Sequence, residues 1–179
     1  DLHANIHIDD NLIVRAAREV IRFLKPRAAI RFTLDKQIPL GGGLGGGSTD
    51  AATVLMSLPA LLGMPLSRQK LESIAARLGS DVPFFLFGGT ALGLGRGTEL
   101  LPLAEPTRLH GVLVTPGIHV STPDAYRALN REAIAVAEEA VPRATRELVW
   151  SMEKSRAAGG NLWQAQLRND FEQPVFKSH

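Results

Sequence analysis

The most informative segment of the sequence reads Pro39-Leu40-Gly41-Gly42-Gly43-Leu44-Gly45-Gly46-Gly47-Ser48-Thr49. Its glycines leave the backbone N–H groups unshielded and allow positive φ angles where the chain path requires them. Ser48, Thr49 and the following Asp50 are typical helix N-caps, and the apolar residues after them predict a helix. Because unpaired N–H groups and the positive end of a helix both attract negative charge, this arrangement predicts an anion site. The breadth of the loop indicates a polyphosphate, and therefore a nucleotide.

Two common nucleotide-binding loops fit this segment poorly. Its glycine spacing matches the dinucleotide fingerprint, but that fold needs the helix to lead into a second strand with an acidic end. Here the helix leads through Leu61-Leu62-Gly63-Met64-Pro65 into another helical pattern. The Walker loop needs a lysine between its last glycine and the hydroxyl residue, and Gly47 is followed directly by Ser48. A flexible linker is also disfavoured, because hydrophobic segments flank the glycines closely.

The segment resembles the Pro-x-x-x-Gly-Leu-Gly-Ser-Ser motif of the GHMP kinases, the family of galactokinase, homoserine kinase and mevalonate kinase. A second stretch, Gly79-Ser80-Asp81-Val82-Pro83-Phe84-Phe85, resembles the family's Gly-Ala/Ser-Asp-Val-Pro-Phe motif. The resemblance implies a two-domain α+β fold with a mixed sheet packed by helices and an active site in the cleft between domains. It implies that residues 1–105 form the N-terminal, ATP-binding domain without its first strands. Residues 106–179 would begin an incomplete C-terminal, substrate-side domain.

The wording of the loop is most similar to the GHMP kinases of the non-mevalonate isoprenoid pathway. The resemblance implies transfer of the ATP γ-phosphoryl group to the 2-hydroxyl of 4-diphosphocytidyl-2-C-methyl-D-erythritol, with Mg²⁺ as the second cofactor. It implies that residues 39–49 hold ATP, that Asp81 is catalytic and that Tyr126 contacts the cytosine ring. Two alternatives stay open: another small-molecule kinase of the homoserine or mevalonate type, and a nucleotide-binding module without catalysis.

The side-chain chemistry of Asp81, Tyr126 and Asp50 is compatible with functional roles, but each residue also has an ordinary structural interpretation. Asp81 follows a helix-ending glycine and precedes an apolar segment, so a carboxylate is expected beside buried side chains. Such a group can accept a proton from, or orient, an alcohol that attacks a γ-phosphate, although aspartate is also a common turn residue. Tyr126 offers a ring on which a flat base stacks, or else ordinary half-buried packing. Asp50 could approach magnesium, but at a helix start it more simply complements the dipole.

The composition excludes several other classes of function. The 179 residues carry a net charge of +2 with dispersed basic residues, so no nucleic-acid partner is indicated, and there is no cysteine for a disulfide or a thiol nucleophile. His3 and His7 would form a metal pair on a helix, but Ile6-His7-Ile8 is typical of extended backbone and no third ligand is near, so no metal site is predicted. Without a signal peptide or an apolar run of membrane-spanning length, we expect a cytoplasmic protein with a small-molecule substrate. The oligomeric state is left open.

Hydrophobic spacing predicts three helices around the glycine loop. The first is capped by Asp10 and stopped by Pro26, the second ends near Pro59, and the third begins after Ser67 and ends at Gly79. Four strands are predicted, at Ile30–Leu34, Gly89–Leu94, Thr98–Leu103 and Val112–Thr115. The chain is mostly helical from Thr122 onward, with surface helices over Arg131–Trp150, a loop over Ala157–Asn161 and a helix-capping phrase at Asn169–Glu172.

Both ends are predicted to lie inside a longer protein. The resemblance implies an earlier strand with a catalytic lysine and a Gly-Tyr-His segment near the cytidine. It also implies a second glycine loop toward the C-terminus. None of these is in the 179 residues.

Overall fold

The computed structural model describes residues 7–38, 43–105, 110–115, 117–118, 120–129, 143–158 and 167–178. Within these ranges the chain is α+β, as predicted. The elements are α1 (Leu12–Leu24), α2 (Gly46–Leu61), α3 (Arg68–Leu78), α4 (Val82–Phe87), β1 (Thr90–Leu94), β2 (Glu99–Leu103), α5 (Thr122–Ala128), α6 (Arg143–Ala158) and α7 (Glu172–Ser178). None of the described helices combines the length and apolar character needed to span a bilayer.

The chain divides into two compact units. The first takes in the chain up to Gly88 together with Arg96–Leu100, and the second takes in Gly89–Gly95 and the chain from Leu101 onward. The domain boundary that the sequence predicts, between residues 105 and 106, stays a prediction.

Helix α1 follows its local signals with a shift of one residue at the start. The Asn11 side chain accepts a hydrogen bond from the N–H of Ile13 (2.9 Å), so Asn11 is the N-cap and the prediction of Asp10 was wrong. Both residue types are good caps, and the one whose side chain reaches the first-turn N–H groups takes the position. The helix ends at Lys25, which adopts the left-handed conformation with φ 49°. Its buried residues follow the helical period: Ile13, Ala16, Ala17 and Val20.

Helix α2 is the centre of the first unit and contacts α1, α3 and α4. It begins at Gly46 with Gly45 as N-cap, so the prediction that Ser48, Thr49 or Asp50 caps the helix was wrong, and all three residues lie inside its first turns. Pro59 is tolerated in the last turn, and the helix ends two residues later. Helix α2 is buried on more than one side, because three helices pack against it. Its buried hydrophobic residues are Ala51, Ala52, Val54, Leu55 and Leu58.

Helices α3 and α4 complete this core. The Ser67 side chain accepts a hydrogen bond from the N–H of Lys70, and Gly79 ends α3, as predicted. Ile74, Ala75 and Leu78 are buried on its inner face. The short α4 follows directly and buries Val82 and Pro83.

The described sheet has two strands, β1 and β2, and they lie within one residue of their predicted positions. The predictions of strands at Ile30–Leu34 and Val112–Thr115 were wrong, since neither segment is a strand. Val112, Leu113 and Val114 are exposed rather than buried. The physical reason is that a strand needs a neighbour for its N–H and C=O groups, and no described strand lies beside either segment.

The helical part of the second unit agrees with the pattern from Thr122 onward. Helix α6 continues through Ala158, so the loop predicted to begin at Ala157 starts too early; alanine favours continuing the helix. The Asn169 side chain accepts a hydrogen bond from the N–H of Phe171 (3.1 Å), just before α7, as its capping phrase predicts. Residues 130–142 and 159–161, which carry other parts of these predictions, lie outside the described residues.

Candidate active site

The described part of the glycine loop is residues 43–49, and Pro39, Leu40, Gly41 and Gly42 lie outside the described residues. Gly43 and Gly45 have φ angles of 68° and 69°, in the left-handed region that favours glycine. The first hydrogen bond of α2 runs from the N–H of Thr49 to the carbonyl of Gly45 (2.9 Å). The N–H groups of Gly46, Gly47 and Ser48 therefore precede the helical ladder. They stand at the positive end of a 16-residue helix.

Gly45 is sterically required and Gly46 is closely packed. A Cβ at Gly45 would stand 2.5 Å from Cζ of the Phe85 ring, and a Cβ at Gly46 would stand 2.9 Å from Nζ of Lys36 and 3.0 Å from Cγ2 of Ile38. By contrast, a Cβ at Gly43 would meet nothing within 4 Å. The start of α2 is thus held between α4 on one side and residues 36–38 on the other.

Lys36 is the residue of this region that the sequence reasoning missed. Its Nζ donates a hydrogen bond to Oδ2 of Asp50 (3.0 Å), with the two side chains 14% and 31% exposed. A largely buried ammonium group therefore lies beside the first turn of α2. The sequence does contain a pattern that could have identified Lys36. This residue continues the alternation of Ile30, Phe32 and Leu34, so it is a cation on the face of the predicted strand that is expected to be buried. The partner of Asp50 in this structure is this lysine.

The two hydroxyl residues of the loop are placed differently. Oγ1 of Thr49 donates to the carbonyl of Gly45 (3.0 Å), so its proton is used within the helix while its lone pairs remain. The Ser48 side chain is half-buried and has no hydrogen-bond partner among the described residues. Ser48 is therefore the hydroxyl group that is free to donate to a ligand at the start of α2.

Asp81 occupies the N-cap position of α4 but makes no capping hydrogen bond. It is exposed, whereas Val82 and Pro83 after it are buried. The expectation of a carboxylate shielded by the apolar segment is corrected in this respect, because α4 turns its apolar residues inward and leaves its N-cap in solvent. Phe85 is one helical turn after Asp81, on the same side of α4, and its ring contacts Gly45. Helix α4 therefore links Asp81 to the glycine loop.

Tyr126 lies in α5, in the second unit. Its side chain is 63% exposed, and the edge of its ring meets Phe171 with the centroids 5.0 Å apart and the planes at 79°. The packing fixes the ring while leaving much of its surface accessible. Within the described residues, no group of three or more His, Cys, Asp or Glu side chains is arranged to hold a metal ion. His3 lies outside the described residues.

Comparisons with known proteins agree with this geometry. Residues 11–89 match the family described as GHMP kinases N terminal domain. The chain is 47% identical over 174 residues to a 4-diphosphocytidyl-2-C-methyl-D-erythritol kinase of Solibacter usitatus, covering 97% of this chain and 54% of the relative. It is 42% identical over 185 residues to the protein of the same name from Acaryochloris marina, covering 99% and 59% respectively.

A solved structure is similar as well. The crystal structure of a 4-(cytidine 5'-diphospho)-2C-methyl-D-erythritol kinase superposes with a TM-score of 0.68 at 32% identity, covering 98% of this chain and 59% of the other. The chain thus spans between one half and two thirds of the length of these relatives. Residues 11–89, with their glycine loop and the helix that follows Asp81, therefore form a GHMP kinase N-terminal domain.

Proposed function

We propose that this chain is part of an ATP-dependent kinase that phosphorylates the 2-hydroxyl of 4-diphosphocytidyl-2-C-methyl-D-erythritol in isoprenoid precursor synthesis. The observation that carries the proposal is the start of α2, where three N–H groups precede the helical ladder and Lys36 lies beside them. This arrangement suits a polyphosphate, because oriented N–H groups, a helix dipole and a cation all stabilise negative charge. The names of the relatives support this choice of substrate.

The loop residues Pro39–Thr49 are assigned to the phosphates of ATP. The N–H groups of Gly46, Gly47 and Ser48 would donate to phosphate oxygens, and the Ser48 hydroxyl has a proton available for the same purpose. Gly45 is required at the entry to the helix, since any side chain there would displace the Phe85 ring. Lys36 would neutralise phosphate charge while Asp50 holds its ammonium group in place.

Mg²⁺ belongs to the proposal as the ion that would neutralise charge on the transferring phosphate. Among the described residues, the lone pairs of Thr49 could serve as a ligand, whereas the Asp50 carboxylate is already paired with Lys36. Most of the coordination would therefore come from phosphate oxygens and water, as is usual for this ion.

Asp81 is proposed to orient and deprotonate the acceptor hydroxyl, and Tyr126 to stack on the cytosine. Asp81 is free for this work because it makes no capping bond. The division into an ATP-binding domain, residues 1–105, and a substrate-side domain, residues 106–179, is part of the same proposal, as are the cleft between the domains and a cytoplasmic location.

The test is ADP release by the complete gene product with ATP and Mg²⁺. The acceptors are 4-diphosphocytidyl-2-C-methyl-D-erythritol, homoserine and mevalonate. We expect turnover with the cytidyl substrate alone. An Asp81→Asn variant should lose about 10²–10⁴-fold in kcat, the range for general base catalysis, with ATP binding retained. Asp10→Asn is the matched control, since it removes one exposed carboxylate from the start of α1.

Three other results of this assay would contradict parts of the proposal. Turnover with homoserine or mevalonate alone would retain a GHMP kinase and reject the cytidyl substrate. ATP binding without turnover of any acceptor would favour a nucleotide-binding module without catalysis. Full activity of Asp81→Asn would remove Asp81 from the mechanism.

A further inference from the structure

A groove on the first unit, between α1 and α3, has the charge of an anion-binding site. Its volume is about 670 Å³, within the range of small-molecule sites. Five of its nine lining residues are basic, one is acidic and three are apolar, although the whole chain carries a net charge of only +2. No residue of the glycine loop lines it.

The cations reach this groove in helical register. Arg15, Arg18 and Arg22 are spaced by three and four residues and share one face of α1. Lys70 and Arg77 are seven residues apart on α3 and share the facing side. Ile74 and Leu78, which are both buried, also line the groove and form its apolar floor. Helices α1 and α3 therefore place basic side chains on both sides of the groove, above its apolar floor.

Only some of these charges are neutralised within the protein. Arg77 donates to Glu19 (2.7 Å) and Arg18 donates to Asp9 (2.6 Å). Arg22 is 3.9 Å from the same Glu19, which Arg77 already holds at the shorter distance, and its side chain is 84% exposed.

Lys70 lies over the Phe23 ring, with Nζ 4.1 Å from the centroid. Arg15 has no ion-pair partner among the described residues. Cations this close repel one another within a Debye length of about 10 Å at 0.1 M salt, and a bound anion would relieve that repulsion.

We propose that this groove binds a small anion carrying a phosphate or diphosphate group, at a site separate from the glycine loop. Guanidinium groups match phosphate oxygens with paired hydrogen bonds, and α1 presents two arginines, Arg15 and Arg22, that are available for this. The volume and the short apolar floor fit a metabolite-sized ligand. The proposal rests on the charge and geometry of the groove and does not depend on the kinase activity.

The experiment is an NMR titration of the complete ¹⁵N-labelled chain with pyrophosphate, at ionic strength held constant with KCl. We expect saturable shifts of backbone amides in α1 and α3. The double variant Arg15→Gln/Arg22→Gln should weaken this binding about tenfold or more, since hydrogen bonds to charged groups are the strong ones. The matched control is Arg27→Gln/Arg31→Gln, which removes the same charge from exposed positions outside the groove and should leave the affinity unchanged.

Several outcomes would overturn the proposal. Saturable shifts confined to residues 45–48 would place all anion binding at the glycine loop and none in the groove. Equal weakening by the two double variants would reduce the effect to net charge. Shifts of α1 and α3 with hexaglutamate or an oligothymidylate, but not with pyrophosphate, would replace the small anion by an acidic protein or a nucleic acid. These outcomes can be interpreted even if the kinase assay shows no turnover, because the NMR titration measures anion binding and not phosphoryl transfer.

Discussion

The ring of Phe85 lies against the backbone of Gly45, where a Cβ would stand 2.5 Å from its Cζ. Gly45 is the N-cap of α2 at the end of the glycine loop, and Phe85 lies one turn after Asp81 in α4. The contact therefore joins the proposed phosphate loop to the helix that carries the proposed catalytic carboxylate. Glycine is required here for space and also for its φ angle of 69°.

Gly45→Ala should destabilise the protein more than backbone strain alone explains. The left-handed conformation costs alanine about 1–2 kcal/mol, and displacing a packed ring adds about 1–3 kcal/mol. The matched control is Gly63→Ala, because Gly63 has a φ angle of 65° and a Cβ there meets nothing within 4 Å. Urea unfolding should show a loss for Gly45→Ala that exceeds the control by about 1 kcal/mol or more. Equal losses of unfolding free energy in Gly45→Ala and Gly63→Ala would mean that the Phe85 ring moves aside without an energetic cost.

A second variant separates the ring from the backbone. Phe85→Leu removes the far end of the ring, so Gly45→Ala should cost less in the Phe85→Leu background than in the wild type. We expect the two changes to couple by about 1 kcal/mol, as residues in contact do. Strict additivity in the same urea measurements would contradict the contact.

The Lys36–Asp50 ion pair should couple more strongly than an exposed pair. A double-mutant cycle with Lys36→Met and Asp50→Asn should give about 1 kcal/mol, the upper end of the range of about 0.2–1 kcal/mol for exposed pairs, because this pair is mostly shielded from water. The reference cycle is Arg68→Met with Glu72→Gln, an exposed pair at 2.8 Å in α3 that should give about 0.3–0.5 kcal/mol. The same coupling energy in both cycles would show that shielding from water adds nothing to the Lys36–Asp50 pair.

Local signals were sufficient for much of the fold. Ser67 and Gly79 mark the ends of α3 through a side-chain N-cap and a glycine C-cap, and both caps involve only neighbouring residues. The hairpin of β1 and β2 is also local, because its strands are joined by the short turn that contains Gly95 and Gly97, both with positive φ. The presence of a helix after the glycine loop is a local feature as well, although the residue at which it begins is not. These features are decided within a few residues of chain.

The wrong predictions concern features that depend on contacts between distant parts of the chain. Ile30–Leu34 alternates like a strand, yet alternation cannot supply the neighbouring strand that its backbone groups need. The start of α2 at Gly46 rather than near Ser48 reflects packing of Phe85, Lys36 and Ile38 around the loop. The Lys36–Asp50 pair joins residues 14 apart, and the alternation that marks Lys36 as partly buried does not identify Asp50 as its partner. Tertiary contacts of this kind are outside what a sequence pattern contains.

Removing the carboxylate of Asp81 should leave stability almost unchanged. Its side chain makes no capping hydrogen bond, so Asp81→Ala should change the free energy of unfolding by less than about 0.5 kcal/mol. Ser67→Ala is the comparison, because Ser67 does accept a bond from the N–H of Lys70 and should cost about 1 kcal/mol. Thermal and urea unfolding of both variants measure the difference. A loss for Asp81→Ala as large as for Ser67→Ala would mean that this aspartate is a structural cap.

The carboxyl of Asp124 should titrate below its ordinary value of 3.8. Its pKa is lowered first by a hydrogen bond from the Ser121 side chain, then by a hydrogen bond from Arg127 and the positive charge of that guanidinium. Because the folded-state pKa is the lower one, the stabilisation of α5 is present above the ordinary pKa and is lost as pH falls through the folded pKa. A ¹³C NMR titration of the Asp124 carboxyl measures this directly.

Two substitutions test the cause of this shift in Asp124. Ser121→Ala and Arg127→Gln should each raise the pKa of Asp124 toward 3.8, because each removes a group that stabilises the charged form. Arg146→Gln is the control, since it removes the same charge from α6 and should leave the titration of Asp124 in place. If Arg127→Gln and Arg146→Gln shifted the pKa of Asp124 equally while Ser121→Ala left it unchanged, the net charge of the chain would explain the effect and the contacts within α5 would not.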